Sequence, residues 1–256
     1  MRTQRDKRLY TATKIPPKNL IWPTRRGFQL EDVFPPDHIR EMTEKSLTNL
    51  GLETIDLQQF HVWEDAWAHD ERWQREVDDL KREKLIRAIG ISINRWEPWN
   101  ALETLRTGAM DAVQVIYNIF DQNPEDELFP LCAELNIGVI ARVPFDEGSL
   151  TGTLTKDSRW PEGDWRNGYF VPENLIPSVE HADALKPLMP AGMTMPEMAL
   201  RFILENNAVS TIIPGMRKEN NVCANIATSD GQPLDSHLMR DLKKQRWVRY
   251  PTEWSQ

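Results

Sequence analysis

The sequence contains little cysteine, which limits the chemistry that depends on thiols. Only Cys132 and Cys223 occur among 256 residues, far apart and outside any CxxC spacing. Two separated thiols of this kind indicate a reducing compartment and no structural zinc site. We therefore expect both thiols to be inert core residues, and we expect no metal centre.

The sequence also lacks a long apolar run and an excess of basic residues. No stretch approaches the ~18 apolar residues of a membrane span, and the N-terminal MRTQRDKRLY has no apolar signal segment. The net charge of −8 argues against a general nucleic-acid-binding protein, which needs a basic face. With 40% hydrophobic and 27% charged residues, the composition is typical of a globular domain. These features predict one cytoplasmic domain over residues 1–256, without membrane or nucleic-acid partners, and leave the oligomeric state open.

Six short apolar runs are present, and helix-like segments separate them. The runs cover residues 9–13, 55–60, 86–91, 112–116, 138–141 and 211–213. Strands that alternate with helices are typical of βαβ units around a parallel sheet, and a closed barrel of this kind has eight strands. The predicted α/β fold is a (β/α)8 TIM-type barrel lacking the first two strands, with six βα repeats present. We expect the missing pair to lie upstream, as in a gene fragment or a start site placed too far downstream.

The segment 143–192 breaks this rhythm. Its fifty residues, rich in glycine and proline, separate two of the repeats. Loops of that length inside compact domains are usually functional or disordered. We interpret the segment as a long loop over the ligand site, and a floppy insertion is the alternative.

Polar residues close the apolar runs, and in an α/β barrel the carboxyl ends of the strands form the active site. Lys14 and His61 follow the first two runs, so an ammonium and an imidazole are expected side by side. Such a pair stabilises negative charge that develops on a substrate oxygen. A lone lysine is more often a solvated charge and a lone histidine a structural hydrogen-bond partner, so the interpretation depends on the convergence of all the strand ends.

The later strand ends carry neutral polar groups and then a basic turn. Ser92, Asn94 and Gln114 offer donors and acceptors that suit an amide group. After the last run, IIPGMRK opens a predicted helix whose free N–H groups, with Arg217 and Lys218, suit a phosphate. Together these residues predict a site for a nucleotide-like ligand.

Taken in order, these segments resemble the aldo-keto reductase family. The resemblance is carried by TATK, SLTNLGLETIDLQQFHVW, KREKLIRAIGISIN, AVQVIYN, GVIARVPFDEGSLTG and STIIPGMRKENNVCAN, which cover roughly residues 9–228. It implies an (α/β)8 barrel enzyme that reduces an aldehyde or ketone with NADPH. A small carbonyl compound is then the expected substrate.

The resemblance also implies roles for individual residues. It assigns Lys14 and His61 to the catalytic tetrad. It assigns Ser92, Asn94 and Gln114 to the carboxamide of the nicotinamide. The first two residues act on the substrate and the other three hold the cofactor.

For the rest of the cofactor, the resemblance implies a second group of residues. Arg142 stands where an aromatic residue often stacks on the nicotinamide. The residues implied at the pyrophosphate are Pro144, Gly148, Leu150 and Gly152, and those at the adenosine 2′-phosphate end are Pro214, Gly215, Arg217, Asn221 and Asn225.

The chain departs from the family at the proton donor. The family's tyrosine and its supporting aspartate lie before the lysine, but only thirteen residues precede Lys14. Tyr10 lies about 13 Å from it at ~3.3 Å per residue and is expected to point to the barrel floor. Tyr117 and Tyr169 are interpreted as packing residues. We therefore expect this chain to be inactive in reduction as it stands, and the alternative is a non-catalytic nicotinamide-nucleotide-binding or interaction protein.

Two of the ten tryptophans follow the candidate catalytic residues. Trp22 comes after Lys14 and Trp63 comes after His61. Apolar pockets with few polar groups bind small carbonyl compounds, so a place in the substrate pocket is one expectation for both. Filling gaps between the helices and the barrel is the alternative.

Overall fold

The computed structural model describes residues 9–94 and 97–248. The chain divides into two compact units, which are treated separately below. Unit 1 comprises Met1–Val115 and Glu127–Val139, and unit 2 comprises Ile116–Asp126 and Ile140–Gln256. The expectation of a single domain stays a prediction.

The described residues contain one sheet of six strands, in the order β1-β2-β3-β4-β5-β6. Strands β1 to β4 pair in parallel with their neighbours in the sequence. The bounds are β1 Ala12–Ile15, β2 Ile55–Phe60, β3 Ile86–Ser92, β4 Ala112–Ile116, β5 Gly138–Arg142 and β6 Val209–Ile212. The six predicted runs are thereby confirmed as strands.

The first strand begins later than the sequence predicted. Leu9 and Tyr10 are exposed and lie before the strand. Thr11 donates its N–H and its hydroxyl to Asp56 Oδ2, both at 2.9 Å, and the strand starts at the next residue. Two prolines follow the strand and end it, since proline has no N–H for the ladder. Lys14 therefore lies inside β1 rather than after it.

Helices lie between the strands, as the helix-like segments predicted. Helix α2 ends at the left-handed Gly51, and α8 begins behind Thr194, whose hydroxyl accepts from Glu197 N at 3.3 Å. The bounds are α1 Leu30–Val33, α2 Pro36–Leu50, α3 Glu71–Arg82, α4 Leu102–Arg106, α5 Leu128–Leu135, α6 Arg166–Tyr169, α7 Pro172–Leu185, α8 Met195–Leu204, α9 Glu219–Ala227 and α10 Ser236–Lys243.

The segment 143–192 is more ordered than a long loop, because it contains α6 and α7. The rings of Trp160 and Phe170 stack with centroids 5.2 Å apart, and they belong to a small apolar cluster with Tyr169 and Leu175. Pro172, which suggested a loop, occupies the first turn of α7, where its missing N–H costs nothing. The segment is therefore partly helical, and both a position over the cofactor and the alternative of a floppy insertion stay predictions.

Strand β2 presents different side chains on its two faces. Gln58 points to the helices, since its Nε2 donates to Thr43 Oγ1 of α2 at 3.1 Å. Because side chains alternate along a strand, Gln59 projects from the opposite face, and His61 follows it on that face. This second face carries the candidate catalytic residues.

The two cysteines have different surroundings. Cys132 is buried, and burial raises the pKa of its thiol to about 12, as expected of an inert core residue. Cys223 is exposed on α9, so the prediction of a core position is wrong for it. The reason is that α9 buries little more than Asn225.

Two negative findings apply to residues 9–94 and 97–248. None of their helices has both the length and the apolar character needed to cross a membrane. They also contain no group of three histidine, cysteine or carboxylate side chains placed to hold a metal ion.

Candidate active site

Unit 1 brings Lys14 and His61 together at the carboxyl ends of β1 and β2. Lys14 is opposite Gln59 in the parallel ladder, and the N–H of His61 donates to Ile15 O at 3.1 Å. Residues in register on parallel strands project from one face, and so do residues two apart on one strand. The two predicted catalytic side chains therefore share a face, with Lys14 half-buried and His61 exposed.

The next two strands extend this face with neutral polar groups. Phe60 opposes Ile91, so Ser92 is the neighbour of His61 on β3. Ser92 in turn opposes Gln114, whose Nε2 donates to Ser92 Oγ at 3.4 Å. Both side chains are buried. The row of polar strand ends predicted from the sequence thus forms a continuous polar edge within unit 1.

Asn94 lies just after β3, and two acceptors fix its amide. Its Nδ2 donates to Trp63 O at 3.3 Å and to Glu64 Oε1 at 3.5 Å. Its Oδ1 is buried and has no partner among the described residues. An unpaired buried acceptor costs about 1–3 kcal/mol, which an N–H group of a ligand would recover. Together with Ser92 and Gln114, Asn94 fits the carboxamide of a nicotinamide.

Glu64 stands behind Asn94 and was missed by the sequence analysis. Burial raises the pKa of Glu64 above its ordinary value, while a hydrogen bond from Asn100 and the charge of Arg26 act in the opposite direction. The signal available in the sequence was a carboxylate three residues after His61, within the aromatic segment VWEDAW.

The two tryptophans proposed for a substrate pocket have different positions. Trp22 is 47% exposed, and its ring meets that of His61 edge-on with centroids 5.8 Å apart. Trp63 is fully buried, and its indole N–H donates to Thr104 Oγ1 at 2.8 Å. Trp22 can contact a substrate beside His61. The pocket position expected for Trp63 is corrected to a place in the core of unit 1.

In unit 2, the loop after β5 has an unusual backbone. Four of its residues between 143 and 148 have left-handed φ angles, which cost most residues roughly 1–2 kcal/mol each. These are Val143 (55°), Asp146 (46°), Glu147 (56°) and Gly148 (119°). Strained backbone of this kind clusters at ligand clamps, so the loop has the character of a binding loop.

The predicted pyrophosphate residues lie in and after this strained loop. Pro144 is buried, Gly148 is half-buried and Gly152 is exposed. Leu150 is fully buried, and its N–H donates to Phe145 O at 3.1 Å, so it stiffens the loop from within. Arg142, at the end of β5, is half-buried, and its carbonyl accepts from Tyr117 N at 3.3 Å.

The turn between β6 and α9 is the predicted phosphate end. Asn225 Nδ2 donates to Gly215 O at 3.2 Å and so ties α9 to the turn. Arg217 and Asn221 are exposed at the start of α9. A cavity of about 280 Å³ adjoins the turn, close to the lower limit of about 300 Å³ for ligand pockets. Its lining includes Leu200, Leu204, Pro214, Met216, Asn225 and Ile226.

Two described tyrosines are packing residues, as the sequence predicted. Tyr117 is fully buried, donates to Glu125 Oε1 and accepts from Asn206 Nδ2 at 3.2 Å. Burial and the bond to Glu125 raise the pKa of its hydroxyl well above the ordinary value. Tyr169 belongs to the apolar cluster of α6 and α7. The Tyr117 hydroxyl, held by Glu125 and Asn206, is therefore not suited to donate a proton to a ligand.

The chain belongs to the aldo/keto reductase family, whose model matches residues 3–245. It is 32% identical over 224 residues to the NADH-specific methylglyoxal reductase of Escherichia coli, covering 84% of this chain and 67% of that protein. It is 26% identical over 268 residues to the NADP(+) aldo-keto reductase yakc of Schizosaccharomyces pombe, covering 97% and 74% respectively.

Solved structures agree with this assignment. The glycerol dehydrogenase AKR11B4 of Gluconobacter oxydans matches with a TM-score of 0.72 and 26% identity, over 92% of this chain and 71% of that chain. The holo form of aldo-keto reductase AKR11C1 from Bacillus halodurans matches with a TM-score of 0.72 and 24% identity, over 98% and 77%. The α/β fold of the chain is thus that of the (β/α)8 aldo-keto reductases, and its relatives are oxidoreductases.

Proposed function

We propose that the protein binds NADPH and reduces the carbonyl group of a small aldehyde or ketone. The observation that carries this proposal is the buried Oδ1 of Asn94, beside Ser92 and Gln114, which has no donor among the described residues. It lies in the unit that also holds Lys14 and His61. A cytoplasmic location, inferred from the two separated thiols, belongs to the same proposal.

When bound, the cofactor supplies a hydride to the carbonyl carbon of the substrate. The ammonium of Lys14 and the imidazole of His61 then stabilise the negative charge that develops on the substrate oxygen. Trp22, edge-on to His61, packs against the apolar part of the substrate. Arg217 supplies the charge that distinguishes a 2′-phosphate from a hydroxyl.

In this proposal His61 orients the substrate oxygen, and a phenol is the expected proton donor. The thirteen residues before Lys14 do not reproduce the tyrosine and aspartate of the family pattern. Tyr10 is 81% exposed and lies four residues before Lys14.

A second candidate function is nicotinamide-nucleotide binding without reduction. The position of Tyr10, which is exposed and lies four residues before Lys14, favours it. The two functions separate in one experiment on the full chain. Quenching of tryptophan fluorescence measures the binding of NADPH and NADH, and loss of the reduced cofactor is followed with methylglyoxal and 4-nitrobenzaldehyde. Binding with turnover supports the reductase, binding without turnover supports the second function, and no binding refutes both.

Tyr117→Phe provides the control for the proton donor. The variant loses a buried hydrogen bond, so its melting temperature should fall, but its turnover per folded molecule should match that of the original chain. Loss of turnover in the folded variant would make Tyr117 the proton donor.

A further inference from the structure

The side-chain amide of Asn94 can be turned in two ways, and its surroundings decide between them. One end of the amide, Nδ2, only donates hydrogen bonds, and the other end, Oδ1, only accepts them. Nδ2 lies 3.3 Å from Trp63 O and 3.5 Å from Glu64 Oε1. Because a backbone carbonyl and a carboxylate are both acceptors, they fix Nδ2 on their side. Oδ1, which is buried and has no partner among the described residues, is the end that remains for a ligand.

Glu64 is held in place through both of its neighbours in the chain. Before it, the indole N–H of Trp63 donates to Thr104 Oγ1 at 2.8 Å. After it, Asp65 Oδ1 accepts from Thr104 N at 2.7 Å and from Thr104 Oγ1 at 2.6 Å. Both neighbours are therefore bonded to one residue of α4, within unit 1. Glu64 cannot move away from Asn94 without breaking hydrogen bonds at Thr104.

The carboxylate of Glu64 is buried and has a second donor. The residue is 6% exposed, and a hydrogen bond from Asn100 acts on its carboxylate. Asn100 is fixed in turn, because its Oδ1 accepts from Asp65 N at 2.8 Å. Buried polar groups are stable only when they are hydrogen-bonded, and the amides of Asn100 and Asn94 supply the donors here. The acceptor that faces Asn94 is thus part of a rigid arrangement.

We infer that Glu64 is a positioning residue, which turns the acceptor end of Asn94 toward the ligand. The group recognised by Asn94 is then an N–H donor, so a nicotinamide is recognised there by the amino group of its carboxamide rather than by its carbonyl oxygen. The part of this inference that concerns the nicotinamide rests on the proposed function. The orientation of the amide can be tested without any ligand.

The ligand-free test follows the two side-chain amide protons of Asn94 by NMR, in the full chain labelled with ¹⁵N-asparagine. Loss of this pair of signals in Asn94→Leu assigns it. Both protons should exchange slowly with water in the original chain. Glu64→Met has a similar length but no oxygen acceptor, so one proton should exchange about tenfold faster or more, while the proton bonded to Trp63 O should stay slow. Glu64→Gln should keep both slow, because its Oε1 still accepts.

Glu76 provides a matched control in the same unit. Burial raises the pKa of its carboxylate, as it does for Glu64, but its partner is Arg40, whose Nε lies 2.8 Å from Glu76 Oε1. Glu76→Met therefore removes a comparable carboxylate without touching Asn94, and the exchange of the Asn94 protons should stay slow. Equally fast exchange in the two methionine variants would overturn the inference, because it would indicate a general loosening of the fold.

Cofactor analogues provide a second readout. The reduced 3-acetylpyridine analogue of NADPH has an acetyl group in place of the carboxamide, so it offers no N–H to Asn94. Its Kd, measured by quenching of tryptophan fluorescence, should exceed that of NADPH about tenfold in the original chain and in Glu64→Gln. In Glu64→Met, where the amide of Asn94 is less firmly held, the ratio should fall to about two or three.

The outcomes separate this inference from the proposed function. Unchanged exchange of both protons in folded Glu64→Met would overturn the inference. If that variant does not fold, unchanged exchange in Glu64→Asp, whose carboxylate is one methylene farther from Asn94, would do so. An unchanged ratio of Kd values in Glu64→Met would refute the role of Glu64 in cofactor recognition. The expected exchange rates in a chain that binds neither cofactor would count against the proposed function alone.

Discussion

The residues proposed for the nicotinamide carboxamide and those proposed for the 2′-phosphate are built in different ways. In unit 1, Ser92, Asn94 and Gln114 are buried neutral groups, while Arg217 and Asn221 in unit 2 are exposed. Buried polar groups of this kind select a ligand by the direction of its hydrogen-bonding groups, because each donor and acceptor must be paired inside a low dielectric. An exposed guanidinium attracts a phosphate by its charge, and it can be replaced by another residue without repacking its surroundings.

The largest effect is expected at Lys14. Lys14→Met removes a charge that stabilises the developing oxyanion, so kcat should fall roughly 10²- to 10³-fold. Binding of NADPH, measured by fluorescence quenching, should change little. Lys18→Met, at an exposed position four residues later, is the control and should keep the original kcat. Equal losses in both variants would show that net charge, rather than Lys14 itself, determines the rate.

Arg217→Ala tests the exposed end. A charge-assisted contact to the 2′-phosphate is about 1.5–3 kcal/mol, so the Kd for NADPH should rise about 10- to 100-fold. The Kd for NADH should stay constant, since NADH has no such phosphate. Arg159→Ala, an exposed arginine in the segment between β5 and α6, should change neither constant. If Arg217→Ala weakens both cofactors equally, Arg217 has a structural role.

Asn94→Leu tests the buried end and should give the opposite pattern. Removing the amide takes away the acceptor for the carboxamide, so the Kd should rise about tenfold for NADPH and for NADH alike. Asn94→Asp keeps an oxygen acceptor but places a second carboxylate beside Glu64. Because two neighbouring carboxylates repel each other when both are ionised, this variant should lose less cofactor binding at pH 5 than at pH 8. A cofactor-selective effect of Asn94→Leu would contradict the division between the two ends.

The smallest effect is expected for Glu64→Gln. Because burial raises the folded pKa of Glu64, its ionised form destabilises the fold at any pH above that pKa. The variant should therefore melt at a slightly higher temperature than the original chain at pH 7. The difference should shrink as the pH falls below the ordinary glutamate value, where both chains carry a neutral group. A lower melting temperature for the variant at pH 7 would mean that the contacts of Glu64 with Asn94 and Asn100 outweigh its burial.

Much of the fold was predictable because the strands of a parallel sheet appear as apolar runs. Four of the six runs matched their strands within one residue at each end, and the last was displaced slightly. The first run was misplaced because Leu9 and Tyr10 look like strand residues, while the contact that sets the start is Thr11 to Asp56, forty-five positions along the chain. A long-range hydrogen bond of this kind leaves no local signal.

The candidate site shows the same limit. Lys14, His61, Ser92 and Gln114 were found because each stands at a strand end, and the ladder then brings them to one face. Glu64 was not found, because its significance lies in burial and in shared hydrogen bonds, which spacing does not encode. For Trp63 the sequence left a pocket position and a core position both open, since an indole near a candidate histidine can equally well point into the core.

The left-handed backbone of residues 143–148 has a consequence for how this protein would respond to selection. At Val143, Asp146 and Glu147, glycine relieves strain, although it adds entropy to the unfolded chain, so these are positions where glycine need not destabilise the fold. A library selected for heat resistance alone should therefore accumulate glycine in this loop. A library selected for tight cofactor binding should retain the strained residues, because a looser loop must be ordered again each time a ligand binds.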